Sequence, residues 1–571
     1  MTEQEKEKKD VDSNRKKKLF KCFAVAAAAL LLILAGYELI RIFGPNTTYT
    51  DLGAYLGLTS TDEYDLRIND ERVGRARKIE DEIYIPLETA ASKVSSRFYY
   101  DETEKGLIVV TPEGTVRAEE GSRALKILGS DRYISISFME DNYPCSILRN
   151  EEGRTVWIIT DFETEKSIKK SEKDEKMRVS AGIRGEIVVD IAKGDSLICL
   201  AEEGKYTLCI KEGSGLSGYV KTSSLGEEEK ATPQYTGTKK ATFDTLGVQK
   251  DLRIGWHMID QYNQASQTDI LTELLDKEQG LDIIIPTWLS VNGERGEVVS
   301  YADTAYSELA IKKGLKVWAM IDNFSREVSS LEVLKSKDAR QAIINTLTMG
   351  VLGLEDVSGI NVDFEAFSDG KGGLNAECGP HFLQFLRELT EECHKRGLIV
   401  SVDIPMPYSF NSYLDRKEIG RVVDLVIIMG YDEHYAGSDP GSVASYDFVK
   451  DGLEKTLADV PAEKTVLGVP FYTRQWTVDG KGNILGTRVK TQSEITEDIK
   501  AAGAETKWLE KERQFYSEFK NEFGMVKVWL DDETSIKWKM DMVREKGLAG
   551  AAAWRLGIET PAMWQMFADK G

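Results

Sequence analysis

Two carboxylic acids lie two residues apart in a short alternating run, Gly359-Ile360-Asn361-Val362-Asp363-Phe364-Glu365. Successive side chains of a β-strand point to opposite faces, so Asn361, Asp363 and Glu365 share one face and the apolar residues share the other. Polar residues on the inner face and a carboxylate at the end are typical of a barrel strand whose C-terminal end carries chemistry. The alternative is a solvated edge strand whose polar residues face water.

This spacing restricts how the two acids can act on a sugar. Residues two apart on a strand are separated by about 7 Å of backbone, so Asp363 and Glu365 lie on the same side of a substrate. A glycosidase that uses one carboxylate as acid and the other as nucleophile needs them on opposite faces of the sugar. The nucleophile must therefore come from elsewhere. We expect the charge of Asp363 to raise the pKa of Glu365 and keep that acid protonated.

Strands and helices alternate through residues 251–571, with amphipathic helical stretches such as His381–Arg396 and Tyr446–Leu457 between most of the strands. Eight strands are predicted, at Arg253–Ile259, Asp282–Leu289, Lys316–Asp322, Gly359–Ala366, Leu398–Met406, Leu425–Tyr431, Thr465–Phe471 and Leu548–Trp554. Eight such units predict an α/β fold, a (β/α)8 TIM barrel. The segment Trp476–Asp532 is then an insertion before the last strand.

Four segments of this barrel resemble the family 18 glycoside hydrolases. Ser358–Glu365 is similar to the signature Asp-Gly-x-Asp-x-Asp-x-Glu, and Met429–Asp432 matches the family's Met-x-Tyr-Asp. Gly468–Tyr472 and Gly550–Trp554 fit the seventh and eighth strands. The resemblance favours the branch with spore-germination and cortex-lytic N-acetylglucosaminidases, where Gly-x-Asn-x-Asp-x-Glu is usual. Ser358 and Asn361 are the two departures from the chitinase pattern.

The resemblance implies a role for each matched residue. Glu365 protonates the glycosidic oxygen and later activates water, while the substrate's own 2-acetamido oxygen is the nucleophile. Asp363 orients that acetamido group and Tyr431 donates a hydrogen bond to its carbonyl. Asp432 contacts sugar hydroxyls and Trp554 forms an apolar floor. The resemblance implies neither a metal nor a cofactor.

Further residues are predicted to bind substrate. Asn361 belongs to this group, although the exchange of aspartate for asparagine weakens the case for a fully chitinase-like proton relay. Aromatic rings that pack on sugar rings are expected at Trp256, Trp288, Tyr472 and Trp476, which lie at or just beyond predicted strand ends. Core packing is the alternative for each ring alone. For His257 and His434, which lie near strand ends, a structural role is favoured over a functional one.

The N-terminus predicts a membrane location. The basic residues 15–18 and Lys21 precede an apolar run from about Phe23 to Phe43 that only Glu38 and Arg41 interrupt. About 20 apolar residues span a bilayer, and the positive-inside rule places the preceding tail in the cytoplasm. We therefore predict a cytoplasmic tail at 1–18, a single transmembrane anchor at 19–43 and an extracellular remainder, with a cleaved signal peptide as the alternative. The formal charge of −21 makes nucleic acid an improbable partner.

Two small modules are predicted between the anchor and the barrel. Residues 46–170 resemble, over Asp65–Val110, the N-terminal domain of copper amine oxidases, without implying copper because all four histidines lie much later. Residues 176–226 resemble bacterial SH3-like domains, which implies binding to the cell wall. A linker is expected at 227–247 and the catalytic barrel at 248–571.

One question about the cysteines stays open in the sequence. Cys199 and Cys209 flank a turn symmetrically, which allows either a bridge or two small buried thiols. Cys378 and Cys393 bracket one predicted helix and lie too far apart to join.

The sequence thus predicts a membrane-anchored, extracytoplasmic glycosidase that acts on N-acetylglucosamine-containing polymers, with peptidoglycan preferred over chitin. Three alternatives stand beside it. In the first alternative, the barrel is a non-catalytic carbohydrate-binding protein. In the second, residues 46–225 act in wall assembly beside a vestigial barrel. In the third, the enzyme acts on host or glycoprotein glycans.

Overall fold

The computed structural model describes residues 3–247, 249–277, 279–325, 327–349, 356–365, 367 and 375–570. Contacts between Cα atoms divide the chain into two compact units. One unit contains the N-terminal residues up to Val94 and Leu128–Thr238, and the other contains Ser95–Ile127 and Lys239–Gly571.

Eight parallel strands close into a barrel in the second unit, and the predicted (β/α)8 fold is confirmed. In chain order the strands are Leu252–His257, Ile283–Pro286, Lys316–Asp322, Gly359–Asp363, Ile399–Pro405, Leu425–Met429, Thr465–Pro470 and Gly550–Trp554. Each strand pairs with the next, and the eighth pairs with the first, so the barrel is closed. A short hairpin, Leu289–Val291 with Val298–Ser300, extends the third strand. The C-terminal ends of all eight strands consequently meet at one rim.

The alternation of side chains creates two apolar layers. One set of strand residues, including Ile254, Trp318 and Ile427, packs together as one cluster inside the barrel. The other set, including Ile360 and Val362, packs against the surrounding helices. Because adjacent residues of one strand enter different layers, the strands are buried on both faces and their register is fixed.

The helices that surround the barrel are amphipathic and lie between the strands. Their bounds are Gln267–Lys277, Thr304–Lys312, Ser330–Lys335, Lys337–Thr348, Cys378–His394, Arg416–Val422, Tyr446–Leu457, Glu533–Glu545 and Pro561–Ala568. The helix Cys378–His394 follows the fourth strand, and Phe385 on it stacks against Phe364 with ring centroids 5.5 Å apart. This contact fixes the backbone between Asp363 and Glu365 from the helix side. Cys378 and Cys393 lie at the two ends of one helix, as predicted.

The insertion before the last strand is a small α+β subdomain. Its antiparallel strands are Tyr472–Val478, Ile484–Thr491, Thr506–Leu509, Gln514–Lys520 and Met525–Leu530, with the helix Gln492–Ala501 between the second and third. The helix begins with a capping box between Thr491 and Glu494. Ile495 and Ile499 pack on Val528 and Leu530 of the sheet.

A three-stranded sheet from the N-terminal part of the chain belongs to the barrel unit. Its strands are Tyr99–Asp101, Gly106–Thr111 and Gly114–Glu119. Arg340, on a barrel helix, donates to Asp101 at 2.9 Å and to Glu388 at 2.9 Å, and the side chains of Arg340 and Asp101 are both completely buried. The predicted division between residues 46–170 and the barrel therefore differs from the structure, which places Ser95–Ile127 with the barrel.

The other unit contains two seven-stranded sheets. The first includes Glu63–Ile68, Glu71–Ile79, Glu82–Pro86, Leu125–Leu128, Asp131–Ser135, Ser146–Asn150 and Thr155–Ile159, with the helix Ile136–Asn142. The second consists of Lys166–Ser171, Glu175–Arg178, Ile187–Ile191, Ser196–Glu203, Tyr206–Lys211, Ser217–Lys221 and Leu225–Ala231. The strand Leu225–Ala231 pairs with Lys166–Ser171, so residues 227–231 are sheet and not linker. Cys199 and Cys209 are free thiols that face each other across adjacent strands with 3.8 Å between their sulfur atoms.

The chain begins with a long helix, Glu3–Phe43. Its segment Asp12–Leu39 has a mean hydropathy of 2.3 over its most apolar window, and none of that window is buried in the protein. By length and composition this helix can cross a membrane, and a signal sequence meets the same criteria.

Candidate active site

Asp363 ends the fourth barrel strand, and Glu365 lies two residues beyond it at the rim. Asp363 is buried, whereas Glu365 is exposed to solvent. The apolar partners Ile360, Val362 and Phe364 pack into the strand–helix layer. The predicted division of this strand into a polar inner face and an apolar outer face is therefore confirmed.

Both acids bind protons more tightly than free carboxylic acids do. Burial raises the pKa of Asp363 well above its usual range, and the nearby charges of Glu365, Asp403 and Asp322 raise it further. Burial among the barrel side chains, followed by the charge of Asp432, raises the pKa of Glu365 to about 7. Solvent reaches Glu365 from the open side of the rim and moderates this effect. Glu365 is thus a proton donor near neutral pH, as an acid catalyst requires.

Two neighbouring acids oppose the ionisation of Glu365. Burial and then the charge of Asp432, which follows the sixth strand, raise its pKa. The repulsion between Asp363 and Glu365 that the sequence predicts raises the pKa of the buried Asp363. Because such repulsion is mutual, it favours a proton shared between the two acids.

Tyr431 and Asp432 follow the sixth strand, Leu425–Met429. Burial and the charge of Asp403 raise the pKa of Tyr431 well above its usual range, so its hydroxyl remains a hydrogen-bond donor at neutral pH. Asp432 is exposed and has a φ of 59°, in the left-handed region that aspartate tolerates better than most residues. Tyr472, from the strand after the seventh barrel strand, donates its hydroxyl proton to Asp432. Arg474 lies 3.9 Å from the same carboxylate.

A buried hydrogen-bond chain lies beneath Asp363. Trp256 on the first strand donates its Nε1 proton to Oδ1 of Asn361 at 3.2 Å. Asn361 Nδ2 donates to Ser401 Oγ at 3.0 Å and to Asp403 Oδ1 at 2.9 Å. Burial raises the pKa of Asp403 well above its usual range, against the stabilising hydrogen bond from Asn361. Asn361 is completely buried, so its observed partners are protein groups and not groups at the surface.

Trp554 lies at the end of the eighth strand and is partly exposed. Its ring meets that of Trp256 edge-to-face, with centroids 5.8 Å apart. Trp256 itself is only 1% exposed and belongs to the barrel interior. Trp554 is therefore the indole that offers a surface at the rim, and Trp256 supports it from below.

The predicted aromatic wall is wrong for Trp288. This residue is completely buried, donates its Nε1 proton to Gln267 at 2.7 Å and packs on Tyr306 in the strand–helix layer. Trp476 is also completely buried and donates to the backbone of Gly441 at 3.1 Å. Both rings lie in the core because each indole finds a polar partner there. Tyr472 is mostly buried and presents its hydroxyl to Asp432.

The two histidines near strand ends have structural partners. His257 is buried and shares a 2.8 Å hydrogen bond with Tyr306, and burial lowers its pKa to about 4. It is therefore neutral at physiological pH. His434 contacts the backbone oxygen of Asp439 at 2.9 Å. Across the described ranges of the chain, no group of three or more His, Cys, Asp or Glu side chains is arranged to hold a metal ion.

Asp403 and Asp322 are the site residues that the sequence reading missed. Asp322 ends the third strand, accepts hydrogen bonds from Ser290 and from the backbone of Phe324, and has a pKa raised by burial. Asp403 lies within the apolar fifth strand, Ile399–Pro405. A carboxylate inside an otherwise apolar strand is the signal that points to such a residue, because an isolated buried charge is costly.

A closed parallel barrel with an accessible carboxylic acid of raised pKa beside a buried carboxyl on the same strand fits the requirements of a glycoside hydrolase. The family model described as glycosyl hydrolases family 18 matches residues 257–559, and the chain belongs to this family.

Several proteins of known sequence are similar to this chain. It is 29% identical over 246 residues to the putative sporulation-specific glycosylase YdhD of Bacillus subtilis, covering 42% of this chain and 56% of that protein. It is 25% identical over 292 residues to the uncharacterised glycosylase YvbX of the same organism, covering 48% of this chain and 80% of that protein. It is 26% identical over 256 residues to the cortical fragment-lytic enzyme of Bacillus subtilis, covering 43% and 57%. The chain thus spans little more than half the length of two of these relatives.

Solved structures are also similar to part of this chain. The spore cortex-lytic enzyme SleL of Bacillus megaterium is 19% identical, with a TM-score of 0.48 over 60% of this chain and 77% of that chain. The structure of the putative sporulation-specific glycosylase YdhD from Bacillus subtilis is 26% identical, with a TM-score of 0.44 over 48% of this chain and 92% of that chain.

Proposed function

We propose that this family 18 enzyme hydrolyses β-1,4 bonds next to N-acetylglucosamine, with retention of configuration and with the substrate's acetamido group as nucleophile. One observation carries the proposal: Asp363 and Glu365 rise from the same strand end, one buried and one open to solvent with a pKa of about 7. This pair supplies an acid and a supporting carboxyl on one side of the sugar, and an internal nucleophile completes such a site.

The proposed reaction has two steps. In the first, Glu365 gives its proton to the glycosidic oxygen while the acetamido oxygen attacks the anomeric carbon, and the bond to the leaving sugar breaks. An oxazolinium ion forms, and the carbonyl oxygen of Asp363 accepts a hydrogen bond from its N–H group. In the second, the ionised Glu365 takes a proton from water, which attacks the anomeric carbon and reopens the ring.

Tyr431 is suited to the acetamido oxygen. Its hydroxyl remains protonated because burial, and then the neighbouring carboxylates, raise its pKa. A neutral hydroxyl that donates to the acetamido carbonyl holds its oxygen in position to attack the anomeric carbon. Asp432 accepts a hydrogen bond from Tyr472 and is exposed, which suits contact with sugar hydroxyls. Trp554 offers its exposed ring surface to the apolar face of a pyranose.

Peptidoglycan is the proposed substrate, ahead of chitin. Two relatives carry names that refer to sporulation or to cortical fragments, and this supports a wall polymer as the substrate class. The proposed wall-binding role of the SH3-like residues 176–226 and a spacer role for residues 46–170 agree with this choice. Endo and exo action both remain open in the proposal.

A membrane anchor is part of the proposal. The helix segment Asp12–Leu39 is apolar enough to span a bilayer, and the basic residues 15–18 favour a cytoplasmic N-terminus and an extracellular catalytic unit. Protease treatment of intact cells tests this topology. Digestion of the barrel without loss of an N-terminal tag supports it, and protection of both ends contradicts it.

The substrate is tested by product analysis. The protein is incubated with N-acetylglucosamine oligomers, purified peptidoglycan and glycoprotein glycans, and new reducing ends are identified by mass spectrometry. Release of N-acetylglucosamine reducing ends from peptidoglycan faster than from chitin oligomers supports the proposal. Binding to these polymers without any cleavage supports the non-catalytic alternative instead.

A further inference from the structure

The fifth barrel strand carries an acid in an unusual place. Asp403 is 2% exposed, and its neighbours Val402 and Ile404 enter the apolar strand–helix layer. Among the described residues no cation pairs with it, and its observed hydrogen-bond partner is the Nδ2 group of Asn361, at 2.9 Å. A buried carboxylate without a cation is costly and persists only where the surroundings compensate it.

Asn361 occupies the position at which the family 18 signature has an aspartate, and its amide is aimed at this acid. The Oδ1 atom of Asn361 accepts from Trp256, which leaves its Nδ2 group to donate to Asp403 and Ser401. We propose that Asp403 supplies from the fifth strand the buried carboxyl that the signature places on the fourth, and that Asp403 is the positioning residue that holds Asp363 in its protonated form. This inference rests on the proposed function and deepens it.

The physical reason is repulsion between close carboxylates. The fourth and fifth strands pair with Val362 opposite Val402, so Asp363 and Asp403 are the next residues along the two strands. Two such groups in one dry site cannot both ionise, so they share a proton. The hydrogen bond from Asn361 favours the ionised form of Asp403, whereas Oδ1 of Asp363 is buried and makes no hydrogen bond within the described residues. The proton consequently resides on Asp363.

Other titratable groups face the same space and enter the balance. They are Asp322 on the third strand, Glu365 beyond the fourth, and Tyr431, Asp432 and Tyr472 beyond the sixth and seventh. The fifth strand, which carries Asp403, pairs with the fourth and the sixth, so Asp403 lies between them. Burial and then the charge of Asp403 raise the pKa of Tyr431. Asp403 therefore acts on the two groups proposed to hold the acetamido group.

Exchanging the charge between the two positions gives a sharp test. Asn361→Asp alone puts a second carboxyl about 3 Å from Asp403, which opposes ionisation of both groups. Asp403→Asn alone removes the carboxyl that backs Asp363. The double variant N361D/D403N restores one carboxyl and one amide in swapped positions, and thereby the hydrogen bond between them.

The four full-length proteins are compared in kcat/KM on N-acetylglucosamine oligomers across pH. Each single variant is expected to lose about 10- to 100-fold, the size of a shift of one to two pKa units, and the double variant to be at least about tenfold better than the product of the two losses. In Asp403→Asn the alkaline limb, which follows Glu365, is expected to move about one unit toward acid, because the charge of Asp403 that opposes the charge of Glu365 has been removed. If the loss in the double variant equals the product of the two single losses, and the alkaline limb of Asp403→Asn does not move, the proposal is overturned.

A second readout does not depend on activity. Infrared difference spectra of the free protein follow the C=O stretch of protonated buried carboxyls, and Asp363→Asn identifies the band of Asp363. In Asp403→Asn this band is expected to titrate at a pH about one unit lower than in the wild type. Asp424→Asn is the matched control, because Asp424 is completely buried in the same barrel and bonds His394 and the backbone of Val400. That control is expected to lower stability and leave the band of Asp363 unmoved.

The outcomes separate the two proposals. If the wild type cleaves no substrate, the proposed function fails, while the infrared titration still decides the role of Asp403. If the wild type is active but the Asp363 band is indifferent to Asp403→Asn, the role of Asp403 is refuted and the proposed function stands.

Discussion

Replacing Asp432 with asparagine is expected to lower the pKa of Glu365. The charge of Asp432 is the cause, after burial, that raises the pKa of Glu365 to about 7. The substitution also frees Arg474, which lies 3.9 Å from Asp432, so an unbalanced positive charge acts in the same direction. The side chain of Asp432 is 50% exposed, so solvent screens its charge and reduces the effect. We expect a shift of about 0.5 to 1 unit.

The shift is measured in the pH dependence of kcat/KM on a soluble aryl glycoside of N-acetylglucosamine, which reports the free enzyme. The acid form of Glu365 is the active one, so activity falls as pH rises through its pKa. In Asp432→Asn this alkaline limb is expected to move toward acid. Asp439→Asn is the control, since it removes an exposed charge from the same loop and is expected to move the limb by less than about 0.2 unit. An unchanged limb in Asp432→Asn, or equal shifts in both variants, would refute this account of the pKa of Glu365.

Three further predictions concern stability. Arg340→Met leaves the buried carboxylate of Asp101 without its cation and is expected to lower the free energy of unfolding by roughly 3–5 kcal/mol. The control Lys537→Met, which breaks an exposed pair with Asp541, is expected to cost about 1 kcal/mol or less. Equal losses in urea titrations of the two variants would contradict the burial of the first pair. Trp288→Ala opens a cavity in the core and is expected to lower stability by roughly 3–5 kcal/mol, with KM unchanged in the folded protein. A raised KM at unchanged stability would instead show that Trp288 binds the sugar, as the sequence predicts. Because the pKa of Glu365 in the folded protein is raised to about 7, its neutral form stabilises the folded state below about pH 4, and this contribution is lost as pH rises to 7. The stability of the wild type relative to Glu365→Gln is therefore expected to fall between about pH 4 and 8. A stability difference that is independent of pH would contradict the raised pKa.

The sequence predicts the barrel because its signal is local. Apolar strands and amphipathic helices alternate, and all eight predicted strands form. The two acids of the fourth strand follow from a period of two, which needs no knowledge of distant residues. Tyr431 and Asp432 were accessible through the family motif.

The remaining features depend on contacts between distant parts of the chain. Nothing local to Asp403 reveals that Asn361, 42 positions away, donates to it. The indole of Trp288 lies beyond a strand end like that of Trp554, and only the position of Gln267 determines that it turns into the core. The docking of Ser95–Ile127 in the barrel unit likewise depends on Arg340, which is 239 positions from Asp101.

Glu365 is assigned here as the acid of a family 18 glycosidase, and substitution of this one side chain tests the assignment. Reducing ends released from N-acetylglucosamine oligomers and purified peptidoglycan are compared between the wild type and Glu365→Gln, with sugar binding measured in parallel. General acid catalysis contributes about 10²- to 10⁴-fold to the rate, so we predict a loss of that size with binding retained. Equal activity in the two proteins, or sugar binding without cleavage in both, would contradict the assignment.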